Sequence, residues 1–131
     1  MKKLVLTLIG AASVFTTGGA NAQGFDAFEY RNVGPTRGGR ATAAAGTVAA
    51  QSTFYLGTSG GGVWKTTNYG TTWANVSDGY FGTPSIGDIA ISQSDARLVY
   101  VGTGSDGLRS NVIAGDGVYK SVDGGTSWTH I

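Results

Sequence analysis

Two aspartates in one glycine-rich stretch are the carboxyl groups of this chain that could act as a pair. Asp106 and Asp116 lie ten residues apart in that stretch, beside Gly107 and Gly117. Cleavage of a glycosidic bond uses two carboxyl groups about 5 to 10 Å apart. Asp beside Gly is also typical of a tight turn, so both residues have an ordinary structural role open to them. We therefore assign no catalytic residue and keep both aspartates as candidate binding residues.

Arginines accompany these aspartates in the sequence. Arg31, Arg37 and Arg40 fall within ten residues, and Arg109 follows Asp106 closely. A guanidinium can bind a carboxylate or a phosphate through two parallel hydrogen bonds, although arginines that are solvated or paired with acids are equally ordinary. The predicted binding residues are Arg37, Arg40, Asp106, Arg109, Asn111 and Asp116.

The composition excludes several kinds of site. The chain has no cysteine and one histidine, His130, which argues against a thiolate or histidine metal cluster and against a Ser/His/Asp triad. Asp106, Asn111 and Asp116 offer the oxygen ligands that calcium takes, but their spacing matches no calcium-loop motif. We predict no metal site and no cofactor.

A repeat determines how these residues are positioned. Residues 62–73 and 117–128 align at an offset of 55, with six of twelve positions identical and four replaced by similar residues. Residues 53–58 and 98–103 align at an offset of 45, so the second repeat carries ten extra residues between its second and third strands. The 23 glycines in 131 residues fit short strands and tight turns. Each repeat is predicted to contain four strands, the size of one β-propeller blade.

Each aligned stretch reads as a strand, a self-bonded turn and a second strand that a tryptophan opens. In the second copy, the Asp123 carboxylate and the Ser121 hydroxyl can bind turn N–H groups, and Gly125 can take a positive φ. Asn68 replaces the aspartate in the first copy, which predicts a weaker turn. The pattern Ser/Thr-x-Asp-x-Gly-x-x-Trp resembles the Asp-box, or bacterial neuraminidase repeat, of β-propellers. The structural Asp-box residues are Thr66, Asn68, Gly70, Trp73, Ser121, Asp123, Gly125 and Trp128.

Alternating strand directions place the loops of such a blade on two opposite faces. The loops at Arg37 and Arg40, at residues 59–62 and at residues 104–117 are predicted to share one face. The Asp-boxes are predicted to lie on the other.

Longer motifs resemble the opening blades of large exported bacterial proteins with a sortilin-type propeller, often labelled glycosyl hydrolases. They are residues 30–35, 37–40, 55–58, 60–67 and 115–121, and the resemblance extends over residues 25–131. It implies an all-β fold of two four-stranded antiparallel blades, truncated at the C-terminus. Sialidases and family 74 xyloglucan hydrolases share the Asp-box. However, Arg31 lacks the Arg-Ile-Pro context of sialidases, and Ser59 stands about where the xyloglucan hydrolases place a catalytic aspartate.

The N-terminus reads as a secretory signal peptide over residues 1–22. Lys2 and Lys3 precede an apolar stretch that is too short to span a bilayer, and Ala20-Asn21-Ala22 is a cleavage site of the A-x-A type. The mature residues 23–131 keep seven basic side chains against eight acidic ones. This balance gives no electrostatic case for nucleic acid or, after cleavage, for an anionic membrane. We predict export to the periplasm or the extracellular space.

The sequence thus predicts an exported propeller fragment that binds or scaffolds and has no catalysis of its own. Its expected ligand is a carbohydrate, a peptide or a protein, and its open sides predict contact with missing downstream blades or self-association. The alternative is the N-terminal part of a sialidase-like or xyloglucanase-like glycoside hydrolase whose catalytic residues lie mostly in other blades.

Overall fold

The chain folds into two four-stranded antiparallel sheets in a computed structural model, which describes residue 35, residues 39–107 and residues 112–131. The leader and the aromatic segment before residue 35 lie outside the described residues. The first sheet comprises β1 (Ala41–Gly46), β2 (Phe54–Thr58), β3 (Val63–Thr66) and β4 (Ala74–Asn75). The second comprises β5 (Ile86–Ile91), β6 (Val99–Thr103), β7 (Val118–Ser121) and β8 (Thr129–His130). Strands follow one another in sequence order in both sheets, as in a propeller blade.

The two repeats have the same pairing. Tyr55 pairs with Lys65 in the first sheet, and Tyr100 pairs with Lys120 at the equivalent position of the second. The first strand of each sheet, β1 or β5, also carries a register irregularity near its first residue. A 3-10 turn, Val48–Ala50, connects β1 to β2. Among the described residues, no helix is long and apolar enough to cross a bilayer.

The core lies between the two sheets, because alternate residues of a strand point to opposite faces. The first repeat contributes Tyr55 and Val63, which are 1% and 0% exposed. The second contributes the remaining buried apolar side chains, which are Ile86, Ile89, Val99, Val101, Tyr119 and Trp128. Phe81, in the segment that joins the repeats, stacks on Tyr119 at 4.1 Å between ring centroids. Packing of the two repeats against each other therefore supplies the hydrophobic core of the described chain.

Hydrogen bonds across this interface hold β1 and β5 side by side, although these two strands belong to different sheets. The Thr42 hydroxyl donates to the Ile86 main-chain oxygen at 2.6 Å, near the start of both strands. The Thr47 hydroxyl donates to the Ser92 oxygen at 3.2 Å, near their ends. These bonds fix how far one sheet can slide along the other.

Candidate functional site

The loops that precede β1 and β5 and that join β2 to β3 and β6 to β7 meet at one end of the sheets. Main-chain bonds connect them: Ser59 N–H donates to the Arg40 oxygen at 2.9 Å, and Gly104 N–H donates to the Ser85 oxygen at 2.8 Å. We call this end the loop face. Arg40 and Asp106 both lie on it, where they line a narrow polar cleft together with Thr42, Ser59, Ser85, Ser105 and Ile113.

A wider cleft, about 500 Å³ in volume, adjoins the narrow one on the loop face. Gly39 and Gly60 line the wide cleft, and their chain neighbours Arg40 and Ser59 line the narrow one. The other residues around the wide cleft are Gly61, Trp64, Asn75, Asp78 and Pro84. One side of the opening is thus aromatic, and another carries a carboxylate and an amide.

The Trp64 indole is held in a defined orientation at this cleft. Its Nε1–H donates to the Gly61 oxygen at 2.9 Å, and Asn75 Nδ2 donates to the same oxygen at 2.8 Å. Asn75 Oδ1 in turn accepts from the N–H groups of Ser77 and Asp78, both at 2.9 Å. The indole N–H and the Asn75 amide are therefore committed to scaffolding. The ring surface of Trp64 and the exposed Asp78 side chain are the groups that can meet a ligand.

Asp116 belongs to a different arrangement. Its carboxylate accepts a 2.5 Å hydrogen bond from the Tyr119 hydroxyl, which itself accepts from Gly82 N–H at 3.2 Å. This bond to Asp116 raises the pKa of Tyr119. The Asp116 N–H is also bound, to the Thr103 hydroxyl at 2.7 Å. Asp116 thus ties the start of β7 to the segment between the repeats.

The turns between β3 and β4 and between β7 and β8 lie at the opposite end of the sheets, and we call them turn one (residues 66–73) and turn two (residues 121–128). In turn two, Asp123 Oδ1 accepts from the N–H groups of Thr126 and Ser127 at 3.0 and 2.9 Å. The Ser121 hydroxyl donates to the same carboxylate and accepts from Gly125 N–H at 2.7 Å. The pKa of Asp123 is lowered to about 2, chiefly by hydrogen bonds from the hydroxyl and the N–H of Ser127 and then by the bond from the Ser121 hydroxyl.

Turn one repeats these bonds with an amide in place of the carboxylate. Asn68 Oδ1 accepts from Thr72 N–H and from the Thr66 hydroxyl, both at 2.9 Å. Asn68 Nδ2 donates to the Thr72 hydroxyl at 2.9 Å, whereas the Ser127 hydroxyl donates to Asp123 at 2.6 Å. The amide therefore reverses one hydrogen bond and keeps the turn geometry.

Turn two also contacts the first repeat. The Gly124 oxygen accepts from the Tyr55 hydroxyl at 2.8 Å and from Lys65 Nζ at 2.6 Å. Burial and the nearby Asp123 carboxylate raise the pKa of Tyr55 to about 12. The Trp128 Nε1–H donates to the Val76 oxygen at 2.7 Å. Turn two is thus part of the interface between the repeats, away from the loop face.

The predicted binding residues have separate positions. The structure brings Arg40 and Asp106 together in the narrow cleft and places Asp116 against Tyr119 and Gly82. Arg37, Arg109 and Asn111 lie outside the described residues. His130 is exposed on β8, with its ring 4.8 Å from that of Tyr119. In the part of the chain that the structure describes, no group of three acidic, histidine or cysteine side chains is arranged to hold a metal ion.

Sequence reasoning missed the wide cleft. Trp64 and Asp78 were not among the predicted binding residues, and Trp64 entered the prediction only as the counterpart of Tyr119 in the repeat. The available signal was the position of Trp64 just after the glycine-rich stretch 60–62, at the start of β3, where that strand leaves the loop face.

Comparisons with solved structures identify similar proteins. One is an ancestral GH74 enzyme, which matches with a TM-score of 0.59 and 26% identity over 76% of this chain and 13% of its own. Another is the GH74 xyloglucanase from Xanthomonas campestris, with a TM-score of 0.44 and 19% identity over 62% of this chain and 13% of its own. No family model and no curated protein matches the sequence significantly.

The likeness to the ancestral GH74 enzyme confirms the predicted fold class. The two four-stranded antiparallel sheets are β-propeller blades, and the neighbouring structures are glycoside hydrolases. The present chain spans 13% of the length of each of these two proteins.

Proposed function

We propose that this chain is a carbohydrate-binding section of an exported β-propeller protein of the glycoside hydrolase type. The observation that carries the proposal is the wide cleft on the loop face, where the Trp64 ring and the Asp78 carboxylate line one opening. The 26% identity to an ancestral GH74 enzyme supports the choice of ligand class.

The chemistry of the cleft matches that of a sugar. A pyranose ring presents apolar C–H groups on its faces and hydroxyl groups around its edge. The surface of an indole can cover the apolar face, and a carboxylate can accept hydrogen bonds from two hydroxyls. Trp64 and Asp78 supply these two functions, and the bond from Trp64 to Gly61 orients the ring before a ligand arrives. Orientation in advance lowers the entropy cost of binding.

We further propose that bond cleavage takes place outside this section. Asp106 and Asp116, the two carboxylates considered for it, have different surroundings: Asp106 lines the narrow cleft, and the Asp116 carboxylate accepts a hydrogen bond from the Tyr119 hydroxyl. Turn one and turn two then act as Asp-boxes with a structural role, since their hydrogen bonds close the turns, bind the loop between the first two strands of the same repeat or, in turn two, join the repeats. Activity of the whole protein as a glycoside hydrolase is part of the same proposal.

Titration of the chain with defined oligosaccharides tests the binding role. We expect cellotetraose or a xyloglucan heptasaccharide to change the tryptophan fluorescence and to give a saturable binding enthalpy. Trp64→Ala lowers the affinity at least about tenfold, which is about 1.4 kcal/mol. Trp73→Phe, at the opposite end of the same sheet, is the matched control and leaves the affinity unchanged.

The result that would reject carbohydrate binding is equal affinity in the parent chain and Trp64→Ala, or no saturable binding of either oligosaccharide. Sialyllactose is included because it separates a sialidase-like ligand from a glucan. A hydrolysis assay on the same samples tests the second proposal, because product formation that Asp106→Asn or Asp116→Asn abolishes would place catalysis within this chain.

Export is the remaining part of the proposal, and it rests on the leader. Expressed with residues 1–22 in a Gram-negative host, the protein is expected outside the cytoplasm with Gln23 as its first residue. Intact mass gives the answer directly. Retention of residues 1–22 in the recovered protein would contradict export by cleavage.

A further inference from the structure

Four aspartates of this chain are followed directly by glycine, and their surroundings in the structure differ. They are Asp78, Asp106, Asp116 and Asp123. In an Asp-Gly pair, the glycine nitrogen can attack the side-chain carboxyl carbon of the aspartate, because the glycine has no Cβ to obstruct the approach. The succinimide ring that forms opens to aspartate or to isoaspartate. Hydrogen bonds on the carboxyl group or on the glycine N–H oppose this attack, so the contacts of each pair determine its reactivity.

The pair Asp78 and Gly79 has both reacting groups free. Both residues are exposed. Within residues 39–107 and 112–131, the Asp78 carboxylate and the Gly79 N–H make no hydrogen bond. Gly79 has a φ of 84°, and no atom beyond its chain neighbours lies within 4 Å of the place that a Cβ would take. The pair therefore also has room to change its local conformation.

The turn around this pair permits the rotation that the attack requires. The Ser77 main-chain oxygen accepts from the Tyr80 N–H at 3.1 Å, which closes a four-residue turn with Asp78 and Gly79 at its centre. Turns of types I and II share this closing bond and differ in the orientation of the central peptide group. The peptide group between Asp78 and Gly79 can therefore rotate while the closing bond is kept, and this rotation moves the Gly79 nitrogen relative to the Asp78 carboxyl carbon.

The pairs at Asp116 and Asp123 are held by hydrogen bonds. The Asp116 carboxylate accepts the Tyr119 hydroxyl at 2.5 Å. The Asp123 carboxylate accepts four hydrogen bonds within turn two. The Gly124 N–H that would have to attack it donates to the Arg97 main-chain oxygen at 2.8 Å. Attack at either aspartate has to break such bonds first, whereas attack at Asp78 breaks none.

We propose that Asp78–Gly79 is a site of spontaneous isoaspartate formation in the folded protein. The Gly79 nitrogen bonds to Cγ of the uncharged Asp78 carboxyl group, and the carboxyl hydroxyl leaves as water with the N–H proton. Water then opens the succinimide ring. Cleavage of the new N–Cγ bond restores aspartate, and cleavage of the original bond between the Asp78 carbonyl carbon and the Gly79 nitrogen gives isoaspartate. One water is released and one is consumed, so the mass of the chain is unchanged.

Isoaspartate at this position changes the segment that joins the repeats. The main chain then passes through Cβ and Cγ of Asp78, which adds one carbon to the turn and leaves the carboxylate directly on Cα. Phe81 follows in the same turn, and its N–H donates to the Ser77 oxygen at 3.3 Å. The Phe81 ring stacks on Tyr119 at 4.1 Å and lies edge-on to Trp128 at 5.2 Å. A longer turn displaces a ring that packs between the repeats, so we expect the isomerised chain to unfold at a lower urea concentration.

The modification needs no ligand and is therefore independent of the carbohydrate proposal. Asp78 also lines the wide cleft. A loss of oligosaccharide affinity in the isomerised chain is expected in addition, and that expectation rests on the proposed function. Isoaspartate formation without a loss of affinity would leave the modification standing and would count only against Asp78 as a sugar ligand.

Tryptic digestion tests the proposal, because it places the four Asp-Gly pairs on four separate peptides. These are residues 66–97, 98–109, 110–120 and 121–131. The full chain is incubated in a mildly acidic buffer, since the uncharged carboxyl group is the one attacked, with and without urea. Isoaspartyl methyltransferase labelling quantifies isoaspartate in each peptide, and fragmentation mass spectrometry locates it. In the folded chain, we expect isoaspartate at Asp78 to form at least about tenfold faster than at Asp116 or Asp123, which is about 1.4 kcal/mol in activation free energy.

The sample in urea is the internal control, because unfolding removes the hydrogen bonds and should bring the three rates together. Asp78→Glu is the matched variant. It keeps an exposed carboxylate but would have to close a larger, less favourable ring, so its 66–97 peptide is expected to gain no isoaspartate at residue 78. Equal rates at Asp78, Asp116 and Asp123 in the folded chain would overturn the proposal. So would an Asp78 that stays unmodified in the folded chain while it reacts in urea.

Discussion

The hydroxyl of Tyr55, in the first repeat, donates a 2.8 Å hydrogen bond to the main-chain oxygen of Gly124, in the turn of the second. The two residues are 69 positions apart in the sequence. Lys65 donates to the same oxygen, so one peptide group of turn two holds two side chains of the neighbouring sheet. The turn is therefore a connection between repeats as well as a closure of its own hairpin.

Removal of that hydroxyl is expected to weaken the interface between the repeats. Tyr55→Phe keeps the buried ring and deletes one buried hydrogen bond, so we expect a loss of about 1 kcal/mol in the free energy of unfolding. Urea denaturation at low protein concentration measures it. Tyr69→Phe is the control, because that ring is 70% exposed and its hydroxyl is not part of the interface. Equal losses in the two variants would contradict the role given to Tyr55.

The same tyrosine predicts a loss of stability at high pH. The pKa of Tyr55 is raised to about 12 in the folded chain and is about 10 when unfolded. The folded state therefore holds its proton more tightly, and the stabilisation is complete below about pH 10 and declines as the pH rises through about 12. We expect this alkaline decline to be smaller in Tyr55→Phe. Urea midpoints at pH 8 and at about pH 11 compare the two chains, and equal declines would reject the assignment.

Asp123 predicts the opposite dependence at low pH. The pKa of Asp123 is lowered to about 2 in the folded chain, against about 3.9 when unfolded. Its contribution to the free energy of unfolding is therefore complete above about pH 3.9 and is lost as the pH falls toward about 2. Asp123→Asn copies the residue that turn one already uses and should cost less stability than Asp123→Ala. The difference between the parent and Asp123→Asn is expected to shrink between pH 7 and pH 3, as followed by urea midpoints. A constant difference would mean that the charge of Asp123 does not stabilise the turn.

The two tryptophans that close the turns are expected to differ in energy. Trp128 is 8% exposed and packs edge-on to Phe81 at 5.2 Å, whereas Trp73 is only half-buried. Trp128→Ala should therefore cost about 3 to 5 kcal/mol. Trp73→Ala should cost clearly less, and chemical denaturation of both variants tests the order. The reverse order would mean that burial between the repeats is not the main source of stability.

Gly57 and Gly102 offer a matched pair at equivalent positions. A Cβ on Gly57 would lie 2.6 Å from the Ile86 Cγ2, in the interior interface. On Gly102, the nearest atom is the Asp88 oxygen at 4.0 Å. Gly57→Ala is expected to destabilise the chain by about 1 to 3 kcal/mol through overpacking, and Gly102→Ala to change it little. Thermal unfolding of the two variants, monitored by circular dichroism, tests the difference. Similar melting temperatures would contradict close packing of the sheets at Gly57.

Much of this fold could be predicted from the sequence, because the two repeats can be aligned with each other. The offsets of 45 and 55 align strands β2 and β3 with β6 and β7, and those strands lie where the alignment predicts. The turn bonds of Asp123 and Asn68 were also predictable, since each spans at most four residues and uses side chains that favour such turns.

The remainder required the packing of one repeat on the other. The Gly124 oxygen accepts two hydrogen bonds, one from Lys65 and one from Tyr55, which lie 59 and 69 positions earlier in the sequence. No local sequence pattern encodes contacts over such distances. The positive φ of Tyr69 was hidden because the residue type argues against it. The wide cleft was missed for a related reason, since Trp64 and Tyr119 align while their surroundings differ. Phe81 stacks on Tyr119, and Trp64 borders the opening.

The two hydrogen bonds from threonine hydroxyls near the ends of β1 to the second repeat limit where residues can be inserted in this architecture. Thr42 and Thr47 hold β1 against the second repeat near both ends, so a residue inserted within β1 would break one bond or the other. A residue inserted in the loop between β6 and β7 disturbs neither. The ten additional residues of the second repeat fall in that loop, on the face that carries both clefts. Loops on the loop face can therefore lengthen and diversify while the spacing of the blades stays constant.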